Sequence, residues 1–449
     1  MRKRERYKHF LNFFANMLIV LVEAGLFTYM WYSCYQRDDI FFRRGNWAVI
    51  GLYVLILFFF THTFGGYKVG YLRMIDIALS HVLAILCSGG VAYVEICMVT
   101  RDYSNVVPVI LMSTAQILFV LPWTYIVRKL YDRLYPPKKM LVIYGEYSPE
   151  DLIRKINTRK DSYDVCATIS CYEEWDKLIV EIEKHVANML CDLPGVIRND
   201  IMKYCYRRSI RTYVTPKISD LMLRGAVELH LFDTPLLLQR NYGLSIPQSF
   251  FKRAFDIVGS LIGIILASPF MLLIATAIKL YDGGPVFYKQ PRLTKDEKEF
   301  MIYKFRSMTV DSEAKGARLA AKGDSRITPV GNIIRNIHFD ELPQLFNILK
   351  GDMSLVGPRP ERKVIADQYV EEIPEFYMRL KVKAGLTGYA QVYGRYNTTP
   401  YDKVKLDITY ITKYSFWLDV KILLMTFKIL FQKENTEGVE QDQITASRK

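Results

Sequence analysis

The stretch FLNFFANMLIVLVEAGLFTYMWYSCY, residues 10–35, sets the fold class, because it carries a single charged side chain, Glu23. A helix needs roughly 20 apolar residues to cross a bilayer, and uncharged runs of that length are rare in soluble cores. Three more apolar stretches follow at 47–64, 74–99 and 107–127. Arg2, Lys3, Arg4, Arg6 and Lys8 precede the first, and Arg128, Lys129, Arg133, Lys138 and Lys139 follow the fourth. Basic flanks stay on the cytoplasmic side, so both ends are expected there. Arg37, Arg43 and Arg44 in the first loop pull the other way, but an even number of spans keeps the ends together. The first stretch is too long for a signal-peptide core and lacks a small-residue cleavage site, which makes it a retained anchor. Glu23, Asp76 and Glu95 lie in or beside these spans, where carboxylates face other helices, and helix packing is preferred to transport.

Composition agrees with a membrane setting. Of 449 residues 51% are hydrophobic, and 60 Lys plus Arg against 46 Asp plus Glu leave a net charge of +14. Such an excess suits phosphate-rich partners. The seven cysteines all fall in the first half without a CxxC pair, which argues against a disulfide framework or zinc site and for a reducing compartment. From Lys138 short β-rich runs alternate with helical ones: a strand at 140–144, a helix at 173–190 and a strand at 210–214 are expected, with turn signals at Gly145, Pro194 and Pro216. This reads as a small Rossmann-like α/β domain over 138–245. Its first strand runs into Gly145-Glu146, one glycine and an acid where a dinucleotide phosphate would need a glycine-rich turn, so no cofactor is expected there. His185 and His230 have no companion ligands and are read as structural.

A fifth apolar run, 255–278, is interrupted by Ser268-Pro269 and flanked by Lys252, Arg253, Lys279 and Asp282. A mid-depth proline kinks a helix, and cations at both ends suit a segment that enters and leaves by one face, so a re-entrant helix over 255–280 is favoured over a span. The run 416–431 carries Asp419, Lys421 and Lys428 and reads as an interfacial helix with snorkelling lysines. Residues 433–449 form a polar tail.

Chemistry-bearing residues concentrate between these two runs: Lys304-Phe-Arg-Ser-Met308, Arg335, Asp340-Glu-Leu-Pro-Gln344 and Gly357-Pro-Arg-Pro360. The region is net basic, which suits anionic substrates. It lacks aromatic interleaving and stands on a membrane base, so nucleic acid is not an expected partner. Asp340 and Glu341 precede an apolar helical stretch, 342–349, that Gly351 should end. The simplest reading is an acidic helix start. A chemical reading is open beside it: a carboxylate can attack phosphorus, and its neighbour can hold Mg²⁺ against phosphate oxygens. Gln344 lies one turn on, and Arg359, held between two prolines, is a stiffly presented phosphate clamp.

At these residues the chain resembles the bacterial sugar transferases, the monotopic phosphoglycosyl transferases that start glycan assembly on polyprenyl phosphate. The likeness runs over about 249–432 and adds Phe255-Asp256, Gly284-Pro-Val-Phe287 and Gly385-Leu-Thr-Gly-Tyr-Ala-Gln391. It implies a membrane protein of α plus α/β class: a four-helix transmembrane bundle over 1–135, the α/β domain, and a mainly helical catalytic domain over 250–432. It implies Asp340 as nucleophile, Glu341 as Mg²⁺ ligand, and substrate contacts at Lys304, Arg306, Arg335, Gln344, Arg359 and Arg395, with Ser268 and Pro269 as the break in the re-entrant helix. The expected reaction moves hexose 1-phosphate from a UDP-sugar to undecaprenyl phosphate on the cytoplasmic face of the bacterial inner membrane, with UMP released. It would be the first membrane step of exopolysaccharide, capsule or O-antigen synthesis. The family's large members suggest glucose or galactose. Asn336-Ile-His338-Phe339 and Leu293-Thr-Lys-Asp296 depart from the usual pattern; His338 is read as a polar neighbour rather than a proton carrier. A homodimer is expected through the N-terminal spans or the α/β domain. The rivals are a non-catalytic nucleotide-sugar-binding scaffold, and a glycosyltransferase that would release UDP.

Overall fold

The computed structural model describes residues 2–36, 43–239, 243–309, 324, 326–394 and 398–430, with the side chains of 2–6, 9, 43, 44 and 430 left aside. The chain divides into two units, Met1–Pro216 and Lys217–Lys449.

In the first unit, helices α1 (Arg2–Met30, prolonged by a wide turn Trp31–Tyr35), α2 (Arg43–Phe64), α3 (Met74–Thr100) and α4 (Val107–Leu134) are each long and apolar enough to cross a membrane. Ile19, Phe27, Tyr53, Leu57, Ile85, Ile96 and Val120 form their shared core. Many of their other apolar side chains stay exposed, Leu55, Ile75, Met98 and Leu118 among them, which suits a lipid surround. Glu23 is fully buried, 3.8 Å from the equally buried His81.

A four-stranded parallel sheet follows: β1 (Lys138–Tyr144), α5 (Glu150–Asn157), β2 (Tyr163–Ser170), α6 (Trp175–Lys184), β3 (Ala187–Cys191), α7 (Gly195–Arg208) and β4 (Arg211–Val214), in strand order β2-β1-β3-β4. Met140 to Ile143 are fully buried, as the central strand of a doubly wound sheet requires. The turn after β1 needs its glycine for packing, since a Cβ on Gly145 would sit 2.4 Å from the Asp192 carbonyl oxygen. The helix expected over 173–190 is corrected here: it ends at Lys184, and Ala187-Asn-Met-Leu-Cys191 is a sheet strand, because a short apolar run reads equally as buried strand or helix.

The second unit begins with α8 (Ile218–Leu223) and a hairpin of β5 (Val227–Leu231) and β6 (Thr234–Leu238). Ile218 and Leu221 join a core with Leu293, Phe376 and Val404. The spine is α9 (Ile246–Asp282), which starts with a capping box between Ser245 and Gln248 and stops at Gly283 in the left-handed region, φ 69°. Around it lie the β7 (Phe287–Leu293) and β8 (Glu299–Phe305) hairpin, α10 (Pro329–Asn336), α11 (Gln344–Lys350), β9 (Ser354–Val356), α12 (Lys363–Glu372), β10 (Gly385–Thr387), α13 (Tyr389–Tyr393), α14 (Pro400–Thr412) and α15 (Phe416–Leu430). β9 and β10 pair in parallel. Along α9, Arg253 donates to the Ile348 and Leu349 carbonyls at the end of α11, both at 2.7 Å, and Asp256 accepts from the Ser354 hydroxyl and the Leu355 amide. Of the charges on α15, read as an interfacial helix with snorkelling lysines, Asp419 and Lys428 are buried. Asp419 pairs with Lys252 at 2.6 Å and accepts from the Tyr410 hydroxyl, and Lys428 is 3% exposed.

Candidate active site

A side-chain lock underlies the site. Asn347, buried on α11, accepts from the Tyr303 amide and donates to the Met301 carbonyl, copying a strand partner and fixing α11 to the edge of β8. Lys304, next along β8, is thereby held over the turn that carries the carboxylates. That turn is a single 3-10 turn, Phe339–Glu341, between α10 and α11. His338 enters it with φ 58°, a left-handed conformation that histidine tolerates better than branched residues. His338 is exposed. Neither carboxylate caps α11, which begins at Gln344 behind Pro343.

Asp340 and Glu341 differ sharply in their surroundings. Glu341 Oε1 accepts from Lys304 Nζ at 2.7 Å and from Arg359 Nη2 at 2.8 Å. Burial opposes its charge, but Arg359 and Lys304 outweigh that and hold its carboxyl well below the usual range. Asp340 is half-buried and forms no side-chain hydrogen bond among the described residues. Burial pushes its carboxyl up, Glu341 adds to the push, and Lys304, Arg335 and His338 oppose it. The pair is therefore split into an anchored anion and an unpaired carboxylate, a common sign of divided chemical roles.

The other expected site residues fall unequally. Arg335, in the last turn of α10, bears electrostatically on Asp340, and Gln344 is buried at the start of α11. Arg306 is also buried, but its guanidinium pairs with Asp282 beside Gly284, where any Cβ would collide with it. The structure thus ties Arg306 to the end of α9 rather than to the dyad. Arg395 lies outside the described residues.

A family model described as bacterial sugar transferase matches residues 247–433. Over 385 residues, 82% of this chain, identity reaches 35% with the UDP-N-acetylgalactosamine-undecaprenyl-phosphate N-acetylgalactosaminephosphotransferase of Aeromonas hydrophila, 86% of which is covered. The chain belongs to the bacterial sugar transferase family. The UDP-glucose:undecaprenyl-phosphate glucose-1-phosphate transferase of Klebsiella pneumoniae is 42% identical over 45% of this chain and 43% of its own length. The uncharacterized sugar transferase EpsL of Bacillus subtilis is 39% identical over 44% of this chain and 94% of its own length, so there the matched part is nearly the whole protein. The chain is thus a membrane enzyme of this family, with a transferase portion joined to an added N-terminal half.

Reading the sugar transferase sequence alone missed the residues behind the site. Asn347, Arg379 and Asp407 lack a local motif; each is a polar side chain among apolar neighbours, the pattern of a buried, partnered group.

Proposed function

We propose that this sugar transferase moves a sugar 1-phosphate from a UDP-sugar to undecaprenyl phosphate, releasing UMP, as the first membrane step of exopolysaccharide, capsule or O-antigen synthesis. The observation that carries it is the unpaired Asp340 beside a Glu341 held by Lys304 and Arg359. The Aeromonas and Klebsiella relatives, whose names state a UDP-sugar donor and undecaprenyl phosphate, support it.

In the proposed chemistry an Asp340 carboxylate oxygen bonds to the sugar-side phosphorus as the bond from that phosphorus to the bridging oxygen breaks, and UMP leaves with that oxygen. An oxygen of undecaprenyl phosphate then attacks the phospho-aspartate and frees the carboxylate. Lys304, Arg335 and Arg359 surround the dyad with the positive charge a pyrophosphate needs. The dyad fits Mg²⁺, which typically takes one or two carboxylates and completes its shell with substrate phosphates and water. Both hydrogen bonds to Glu341 fall on Oε1, which leaves Oε2 for the ion, and Asp340 is adjacent. When bound, the ion would neutralise charge on the phosphate oxygens. Incubation with undecaprenyl phosphate and UDP-glucose, UDP-galactose or UDP-N-acetylgalactosamine tests the reading: UMP should form with one donor, and UDP as the nucleotide product would overturn it.

We further place α1 to α4 as a transmembrane bundle and α9 as a re-entrant helix, with the dyad on the cytoplasmic face of the inner membrane. Along one face of α9, Asp256, Gly259, Gly263, Met271, Ile274 and Ile278 meet side chains of the catalytic unit, which supports both ends lying on one side. A homodimer completes the reading. Leu229, Leu231, Phe232, Leu236, Leu237 and Leu238 leave the β5–β6 hairpin apolar and exposed, and a two-stranded ribbon is marginal unless something packs on it. Light scattering in nanodiscs should give a dimer mass, and Leu231→Lys with Leu237→Lys should shift it towards the monomer.

A further inference from the structure

Arg359 sits between two prolines, so Pro358 and Pro360 have no amide hydrogen with which to join a strand, and their carbonyls must be held from elsewhere. All three successive carbonyls have a donor. Pro358 O accepts from the Gly385 amide at 2.9 Å, Arg359 O from Arg379 Nη2 at 3.0 Å, and Pro360 O from Arg292 Nη1 at 3.3 Å. Arg379 is only 2% exposed, and its charge is met by Asp407 of α14, 1% exposed, at 2.8 Å, with Glu361 at 4.0 Å. A buried pair of this kind is an expensive way to stabilise a fold, since well-packed apolar residues often do as well. Its distinctive product is a fixed carbonyl on the residue whose guanidinium binds Glu341.

We propose that Arg379 and Asp407 are positioning residues for the transfer: Asp407 orients Arg379, Arg379 grips the Arg359 carbonyl, and that grip aims Arg359 at Glu341. The proposal rests on the role given above to the dyad and Arg359. Neither residue touches the reacting atoms. Removing one partner alone would bury an unpaired charge and confuse misfolding with misplacement, so the test removes both, as Arg379→Met with Asp407→Leu.

This double variant should fold, with a melting temperature close to the parent's, and release UMP about 10²-fold more slowly, the loss expected of a displaced clamp. In an Arg359→Met background the same two changes should cost less than about twofold, because nothing remains to be aimed. Losses that multiply across the two backgrounds, or an unaltered rate in the double variant, would overturn the proposal. A cryo-EM structure of the double variant gives a readout independent of turnover. Arg359 should leave hydrogen-bonding distance of Glu341, and a retained contact overturns the positioning role. If the parent releases no UMP from any UDP-sugar, the proposed reaction fails while that structure still decides the positioning.

Discussion

Asp340→Asn is expected to lower turnover by about 10⁴-fold or more and, at neutral pH, to raise thermal stability by about 1 kcal/mol. Both effects come from one property, an unpaired half-buried carboxylate beside a second carboxylate. Asparagine keeps the size, loses the anionic nucleophile and removes the desolvated charge. Because the folded-state carboxyl titrates above its ordinary value, the unfolded chain holds fewer protons in between, and the stability penalty is absent below the ordinary range and complete above the raised value. The gain from asparagine should therefore fade in acid. Nucleotide release by the parent should fall on the acid side at a pH above that of an ordinary aspartate, since the attacking form is the anion. With enzyme, Mg²⁺ and UDP-sugar but no lipid, intact-protein mass spectrometry should find up to one equivalent of a sugar-phosphate adduct and matching UMP. An unmodified parent that turns over fully once lipid is added would mean direct attack by lipid phosphate. An adduct that persists in Asp340→Asn would move the nucleophile elsewhere. Glu341→Gln should keep the adduct but form it slowly, because it frees Lys304 and Arg359 from their shared anion.

What the sequence made legible was what lies close along the chain. The dyad, Lys304 and Arg359 each sit in a short motif, and the four apolar runs declare their length without reference to partners. Arg306 sits in the same short motif, but its motif could not show that the end of β8 and Gly284 turn its guanidinium towards Asp282. The partner of Asp419 was out of reach for a different reason: the lysine that neutralises it lies 167 positions earlier. Lys252, Asp256, Arg379 and Asp407 share this character. Their chemistry is set by contacts that no periodicity within one element can reveal. The strand β3 was lost for another reason, since five residues are too few to separate periods of 2 and 3.6.

Replacing Ser268 with alanine and Pro269 with leucine should straighten α9 and cost about 10²-fold or more in turnover, although neither residue is in the dyad. Pro269 cannot donate to the Ile265 carbonyl, and the Ser268 hydroxyl occupies that carbonyl at 2.8 Å, so the missing backbone bond is replaced locally. The two substitutions restore the backbone donor and remove a ring clash worth about 3 kcal/mol. The geometry makes the consequence severe. Between Lys252, paired with Asp419, and Ile278, packed with Phe305 and Ile334, a straight helix would rise about 39 Å, more than the roughly 30 Å of a hydrocarbon core. If the straightened helix crossed the bilayer, one water-facing domain could not hold both ends. Straightening should draw Met271, Ile274 and Ile278 away from the core that also contains Phe339, and so disturb the turn carrying Asp340. With the seven native cysteines replaced by serine, single cysteines at Ser249 and Tyr281 should label from the cytoplasmic side alone in the otherwise unaltered chain. Labelling from opposite sides would make α9 a fifth span, and full activity in the straightened variant would detach the helix break from catalysis.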